Sequence, residues 1–185
     1  MKKQNKSFWG IVKRVVSVAL VASLVFATPI SAEAKTKTKS LKAVASFSPD
    51  TAYAESVATA VTKGNYKFKI KTKKYDSRAY IKFTAPETKS YTFTLSKLKS
   101  NSGSYACGFY SFLSSDPNRS YIHDDEIQTN APGSLHFASK YNKKSPDFPL
   151  KRKATINVNA GETIYVYFDI LSTRSKYNTF EFKIK

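Results

Sequence analysis

The chain has 185 residues, with 31 Lys and Arg against 13 Asp and Glu, which gives a formal net charge of +18. Its 13 Phe and 12 Tyr exclude a disordered chain of low hydrophobicity and favour a β-rich globular domain, and its single cysteine excludes an intramolecular disulfide. The length fits one domain with one core. The basic excess favours an anionic partner such as nucleic acid, acidic lipid or an anionic wall polymer, and solubility with charged strand edges is the alternative.

The first 34 residues have the order of a secretory signal peptide. A basic start is followed by the apolar run Val15–Ile30 and by small residues at Ala32 and Ala34. We expect cleavage after Ala34. An uncleaved anchor is the alternative, although the run is shorter than the ~20 residues of a membrane span. The mature chain is therefore predicted to be secreted or extracellular, without a transmembrane segment, and export argues against a nucleic-acid partner.

Residues 35–52 are predicted to be a basic, flexible leader ahead of a β-sandwich domain at residues 53–185. Lys35–Leu41 alternates Lys with Thr or Ser and has no hydrophobic periodicity. The next segment leaves two structures open. A helix capped by Ser48 fits its start, whereas β-branched residues near Val61 fit a strand equally well.

After a turn at Gly64 the sequence alternates between apolar residues and lysines, which predicts a strand with one apolar and one cationic face. The cationic series consists of Lys67, Lys69, Lys71 and Lys73. Ammonium groups spaced about 6.6–6.8 Å apart along a strand can follow a polyanion. Lysines on an edge strand also prevent pairing with another molecule, so both interpretations stay open.

Period-two alternation recurs along the rest of the chain. It covers the two halves of Arg78–Leu95 on either side of Pro86, and later three segments between Ala154 and Ile184. We predict an all-β fold, an antiparallel, jelly-roll-like β-sandwich of roughly eight strands without a convincing helix. The predicted core contains Ile81, Phe83, Phe93, Leu95, Ile156, Val158, Val166, Phe168, Phe180 and Phe182.

The middle of the chain, residues 119–150, is the least regular part. Its acidic cluster at residues 123–126 has the grouped carboxylates that calcium prefers, but lacks the spacing and glycine of an EF-hand loop, so a solvated loop is the alternative. Cys107 lies in an aromatic stretch that favours a buried apolar role over a nucleophile. The two histidines, His123 and His136, accompany no Gly-x-Ser-x-Gly motif. We therefore expect no enzyme, metal site or cofactor.

Two further sets of residues are candidates for ligand binding. Lys151, Arg152 and Lys153 lie at the entrance of a strand, and they extend the lysine row if the fold brings both to one side. Tyr165 and Tyr167 share one face of a strand and can present flat rings to sugars. The alternative is that a neighbouring loop covers these tyrosines.

Three sequence segments resemble a known family. They are AYIKFTAP at residues 79–86, YTFTL at 91–95 and VNAGETIYV at 158–166. Together they are similar to the bacterial pre-peptidase C-terminal domain family, over roughly residues 66–185. The resemblance implies a small jelly-roll-like sandwich that is not catalytic, accompanies secreted enzymes and in some members binds their substrate.

Three classes of function follow. The first is a secreted, non-catalytic module held at the bacterial cell surface by electrostatic contact with an anionic wall polymer or polysaccharide, which a contiguous cationic face would support. The second is a structural or protein-interaction domain, which an exposed apolar patch would support. The third is a small secreted hydrolase, which a cleft joining a histidine to Cys107 or to acidic residues would support.

Overall fold

The computed structural model describes residues 35–131 and 134–185, so the predicted signal peptide lies outside the described residues. The strands are β1 (Lys37–Leu41), β2 (Thr59–Val61), β3 (Gly64–Lys71), β4 (Asp76–Thr84), β5 (Lys89–Ser100), β6 (Ala106–Ser114), β7 (Gln128–Thr129), β8 (His136–Ala138), β9 (Lys151–Val158), β10 (Thr163–Ser172) and β11 (Tyr177–Ile184). The helices are α1 (Thr51–Val57) and the 3₁₀ helices Pro117–Arg119 and Asp124–Glu126. Among the described residues, no helix has the length and apolar character that crossing a membrane requires.

The strands form two sheets that pack face to face as a β-sandwich. Sheet A has the order β1-β3-β11-β5-β9-β7, and sheet B has the order β2-β4-β10-β6-β8. The predicted fold is confirmed, with more strands than expected. Pairing in the described strands is antiparallel except at β1 with β3 and β2 with β4, where two short N-terminal strands add in parallel to a longer strand.

The core between the sheets is built largely from aromatic side chains. All ten residues predicted for it are at most 1% exposed. The ring of Phe168 lies 4.9 Å from that of Phe180 and 5.2 Å from that of Phe182, which joins β10 of sheet B to β11 of sheet A. The predicted register of these strands is therefore correct, because a slip of one residue would have placed the phenylalanines in water.

The prediction of a flexible leader is wrong for β1. Residues of β1 pair with β3, from Lys37 opposite Tyr66 to Leu41 opposite Ile70. The strand is stabilised by backbone pairing and by the burial of Leu41, which is 5% exposed. Hydrophobic periodicity misses such a strand because most of its side chains are polar on both faces.

Residues 43–58 cross the outer face of sheet B and cover part of it. The ambiguous segment contains both predicted structures, because α1 ends before β2 begins. Asp50, rather than Ser48, caps the helix and accepts a hydrogen bond from the Ala52 amide at 2.8 Å. The fully buried Ala54 and the partly buried Tyr53 pack on tyrosines of sheet B. Part of the outer face of sheet B is thereby covered, while the outer face of sheet A stays open.

Candidate functional site

Three lysines of β3 have exposed side chains on the outer face of sheet A: Lys67, Lys69 and Lys71. Lys67 pairs with Glu181 of β11, and Glu181 pairs with Ser96 of β5. Ser96 in turn pairs with Lys151 of β9. Directly opposed residues share a face of the sheet. The fold therefore brings the lysine row and the basic strand entrance to one surface, as the sequence prediction required.

This surface carries many cations and few acids. Its outward lysines are Lys67, Lys69, Lys71, Lys97, Lys99, Lys151, Lys153 and Lys183, and we call them the lysine face. Seven of them are exposed and Lys183 is half-buried. Within the described strands of sheet A, the carboxylate is Glu181 alone, and it lies 3.0 Å from the Lys97 ammonium. Such a surface has a strongly positive potential.

Sequence reasoning missed the lysines of β5 because of a bulge. The pairing of β5 with β11 shifts between Thr179 and Glu181, and Lys97 has a positive φ of 53° at this point. An extra residue in a strand resets which side chains face outward. After it, Lys99 pairs with Thr179 and lies on the same face as Lys69, the other partner of Thr179. Simple alternation from the preceding Ser96 predicts the opposite face for Lys97 and Lys99.

Short hydroxyl side chains fill the space between the lysines. The Thr92 and Thr155 hydroxyls are 2.8 Å apart, and Ser90 donates to the Asn157 side chain at 2.5 Å. Because these side chains bond to one another close to the sheet, the longer lysines project beyond them. The Lys69 ammonium lies 3.9 Å from the centre of the Tyr177 ring, a cation–π contact that holds one of them over the sheet.

The edge-strand interpretation does not account for the lysines of β3. β3 is an interior strand, flanked by β1 and β11. The edge strand β1 instead places Lys37 and Lys39 on the core side of the sheet, 5.8 and 6.0 Å from the centre of the Tyr66 ring. Lys39 also donates to the Ala60 carbonyl at 2.8 Å. Inward-pointing charges of this kind protect an edge, so protection here comes from β1.

A cleft of about 770 Å³ opens at one end of the lysine face. Its lining includes Lys97, Lys99, Lys140 and Lys151, together with serines of β5 and of the β5–β6 loop and the half-exposed Leu150. No acidic side chain lines this cleft within the described part of the chain. An anionic group held there is within reach of several ammonium and hydroxyl groups.

The prediction that Arg152 binds a ligand is wrong. Its side chain is 0% exposed, because β9 alternates and places Lys151 and Lys153 outward. The guanidinium donates to the Ala131 carbonyl at 2.9 Å and to the Ser134 carbonyl at 2.6 Å. Arg152 therefore holds the loop before β8 against the core.

The row of lysines on β3 ends at Lys71, so it is one lysine shorter than predicted. Lys73 lies beyond β3, in the turn before β4, where its backbone bonds to Asp76. Its side chain is exposed, but the alternation that aligns the lysines of β3 does not reach it. Lys73 thus borders the lysine face and is not part of it.

The tyrosine platform is also contradicted, and the alternative of a covering loop is correct. Tyr165 and Tyr167 are 4% and 1% exposed beneath the segment that crosses sheet B. The Tyr165 hydroxyl donates to Glu55 of α1 at 2.9 Å, and Phe47 packs 5.0 Å from the Tyr167 ring. Burial is the main cause that raises the pKa of Tyr165 to about 12. Neither ring is available to a sugar in solution.

The hydrolase alternative is met only in part, because His136 and Asp124 line one pocket but Cys107 is not activated. Burial raises the pKa of the Cys107 thiol, whereas a nucleophilic cysteine needs a lowered one. His136 lies on the adjacent strand, but its ring stacks on Phe148 at 4.7 Å. At the acidic cluster, Glu126 accepts a bond from the His123 amide at 3.0 Å and lies 3.3 Å from Arg119. The described residues contain no group of three metal-binding side chains in reach of one ion.

Among known proteins, the chain is similar to a solved structure, but no family model and no curated protein matches it. The structure is similar to that of the pre-peptidase C-terminal domain of collagenase from Bacillus anthracis, with a TM-score of 0.38 and 12% sequence identity. The match covers 69% of this chain and 94% of that chain.

Proposed function

We propose that this protein is a secreted, non-catalytic binding module that is retained at the bacterial cell surface by contact between its lysine face and an anionic wall polymer or polysaccharide. The observation that carries the proposal is that the lysines of β3 and β9 lie on one open face of sheet A. In the described strands of that sheet, Glu181 is the one carboxylate. A polyanion lying across the strands meets an ammonium group on β3 and another on β9. The cleft beside Lys140 gives one anionic group of that polymer a more enclosed position.

The exposure of these ammonium groups predicts the character of the binding. Exposed ammonium groups on flexible stems interact with charge rather than with a defined shape. We therefore expect weak selectivity among polyanions and a strong dependence on ionic strength. The proposal includes export with removal of residues 1–34, so the intact mass of the exported protein should correspond to a chain that starts at Lys35.

Co-sedimentation of the purified exported protein with isolated cell walls tests the proposal. Walls should retain the protein, and walls stripped of their anionic polymers should not. The double variant Lys67→Glu with Lys153→Glu should bind at least about thirtyfold more weakly, since each lysine near an anionic surface contributes about 1 kcal/mol. The matched control, Lys42→Glu with Lys143→Glu, changes the net charge equally at exposed positions outside the lysine face. Equal loss in both double variants would contradict a role for this face.

A further inference from the structure

A pocket of about 350 Å³ lies beside sheet B, away from the lysine face. Phe47, Phe109 and Tyr121 line it and remain 40%, 38% and 40% exposed. Asp124 and His136 add a carboxylate and an imidazole to its wall. The volume falls in the range of about 300–1,000 Å³ that small-molecule sites occupy. The pocket shares none of its lining residues with the lysine face or the cleft.

The aromatic rings of this pocket are supported by other side chains. The ring of Phe47 lies 5.0 Å from that of the buried Tyr167, and the ring of Phe109 lies 6.2 Å from it. Phe109 also meets the edge of His136 at 6.1 Å, and His136 stacks on Phe148. Rings that are held in this way lose little freedom when a ligand binds. In the protein without ligand these rings are partly exposed to water. A cluster of large exposed apolar groups commonly marks a binding site.

The wall that carries Tyr121 and Asp124 is fixed by backbone contacts. Tyr121 forms an isolated bridge with Leu113 of β6, and the Ile122 amide donates to the Phe112 carbonyl at 3.3 Å. Asp124 opens the following 3₁₀ helix, whose last turn closes with a bond from the Ile127 amide to the Asp124 carbonyl.

The charges around the pocket balance and disfavour an ionic ligand. The Asp124 carboxylate repels an anion. Burial first, and the guanidinium of Arg152 second, lower the pKa of His136 below its usual value, so its imidazole is neutral near pH 7. The same buried guanidinium repels a cation. A neutral ligand that offers both hydroxyl groups and an apolar surface fits this environment best.

We propose that the pocket binds a neutral sugar ring of a polysaccharide. The apolar faces of such a ring can pack against Phe109, Tyr121 and Phe47. Its hydroxyl groups can donate to the Asp124 carboxylate, and they can donate to or accept from the neutral His136. This site is separate from the lysine face, so it binds whether or not the polyanion proposal holds.

NMR titration of the exported, isotope-labelled protein tests the inference. The probes are trisaccharides of β-glucose, of mannose and of N-acetylglucosamine, each in about 1 M NaCl, where the Debye length of about 3 Å suppresses lysine contacts. At least one probe should shift resonances of residues in the pocket, such as Phe109 and Tyr121. Tyr121→Ala should weaken that binding by about tenfold or more. Asp124→Asn, which keeps the shape of the side chain and removes its charge, should weaken it as well.

Two matched variants distinguish binding in this pocket from contact with an exposed ring elsewhere and from contact with the lysine face. Tyr141→Ala removes an aromatic ring that is 64% exposed and outside the pocket, and it should leave the affinity unchanged. The Lys67→Glu, Lys153→Glu double variant should also bind the sugar normally. Failure of all three probes to shift the pocket resonances overturns the inference. So does an equal loss in Tyr141→Ala, or an Asp124→Asn variant that keeps full affinity.

Discussion

Lys67 and Lys151 lie in one row of paired residues that crosses four strands of sheet A, from β3 through β11 and β5 to β9. Adjacent strands are about 4.8 Å apart, which places the two backbones about 14 Å from each other. Glu181 and Ser96 lie between them, and the next row carries Lys69 and Lys99. A linear polyanion that lies across the strands therefore meets lysines near both ends of the row.

The salt dependence of wall binding is the most direct physical prediction. Retention should fall steadily as NaCl rises from low to physiological concentration and beyond, because the Debye length falls to about 8 Å at 0.15 M. Sedimentation over a salt series measures it. Retention that is unchanged by salt would show that apolar or specific hydrogen-bonded contacts hold the protein instead.

Lys151 and Arg152 are neighbours in the chain, but replacing them by alanine should have different effects. One substitution should affect wall retention and the other should affect stability. Arg152→Ala should lower the free energy of unfolding by on the order of 3 kcal/mol, because it removes a fully buried side chain and its two charged hydrogen bonds to the Ala131 and Ser134 carbonyls. Lys151→Ala should leave stability nearly unchanged and weaken wall retention. Chemical denaturation and co-sedimentation of both variants check this. A stable Arg152→Ala protein that lost retention would restore Arg152 as a ligand contact.

Phe168 and Thr155 test the assignment of inner and outer faces. Phe168→Ala should cost about 3–5 kcal/mol of stability, since it removes a fully buried ring and leaves a cavity. Thr155→Ala removes one hydroxyl contact with Thr92 on the outer face and should cost about 0.5–1.5 kcal/mol. Urea denaturation gives both values, and similar costs would indicate a slipped register.

The raised pKa of Tyr165 predicts how the stability of the protein changes at alkaline pH. Its pKa is raised from 10.0 to about 12 in the folded protein, mainly by burial. The unfolded chain thus loses this proton first, and the free energy of unfolding falls between pH 10 and about 12. Tyr165→Phe should be about 1 kcal/mol less stable at neutral pH, where it lacks the bond to Glu55. That deficit should shrink above pH 10, and a constant deficit would contradict the raised pKa.

The thiol of Cys107 should react slowly. Burial raises its pKa, which lowers the thiolate fraction, and the side chain is only partly accessible. At pH 8 Ellman's reagent should modify it more slowly in the folded protein than in urea. Cys107→Ser should retain full wall binding. Rapid modification of the folded protein would favour a nucleophilic role.

The sequence determined those features that depend on local alternation. Period two along β4, β5, β9, β10 and β11 identified the strands and the core, because one-sided burial requires apolar residues at every second position. It also identified the outward direction of Lys67, Lys69 and Lys71. The same rule placed Lys151 and Lys153 on one side of β9, and applied strictly it places Arg152 on the other.

Only the tertiary structure decided what each outer face meets. Tyr165 and Lys153 both lie on outward faces of their strands, yet one is covered and the other is open. The difference arises because residues 43–58 cross sheet B and not sheet A, a long-range packing choice that no local pattern encodes. The bulge at Lys97 and the pairing of β1 with β3 have the same origin, since both depend on backbone bonds between strands that are distant in sequence.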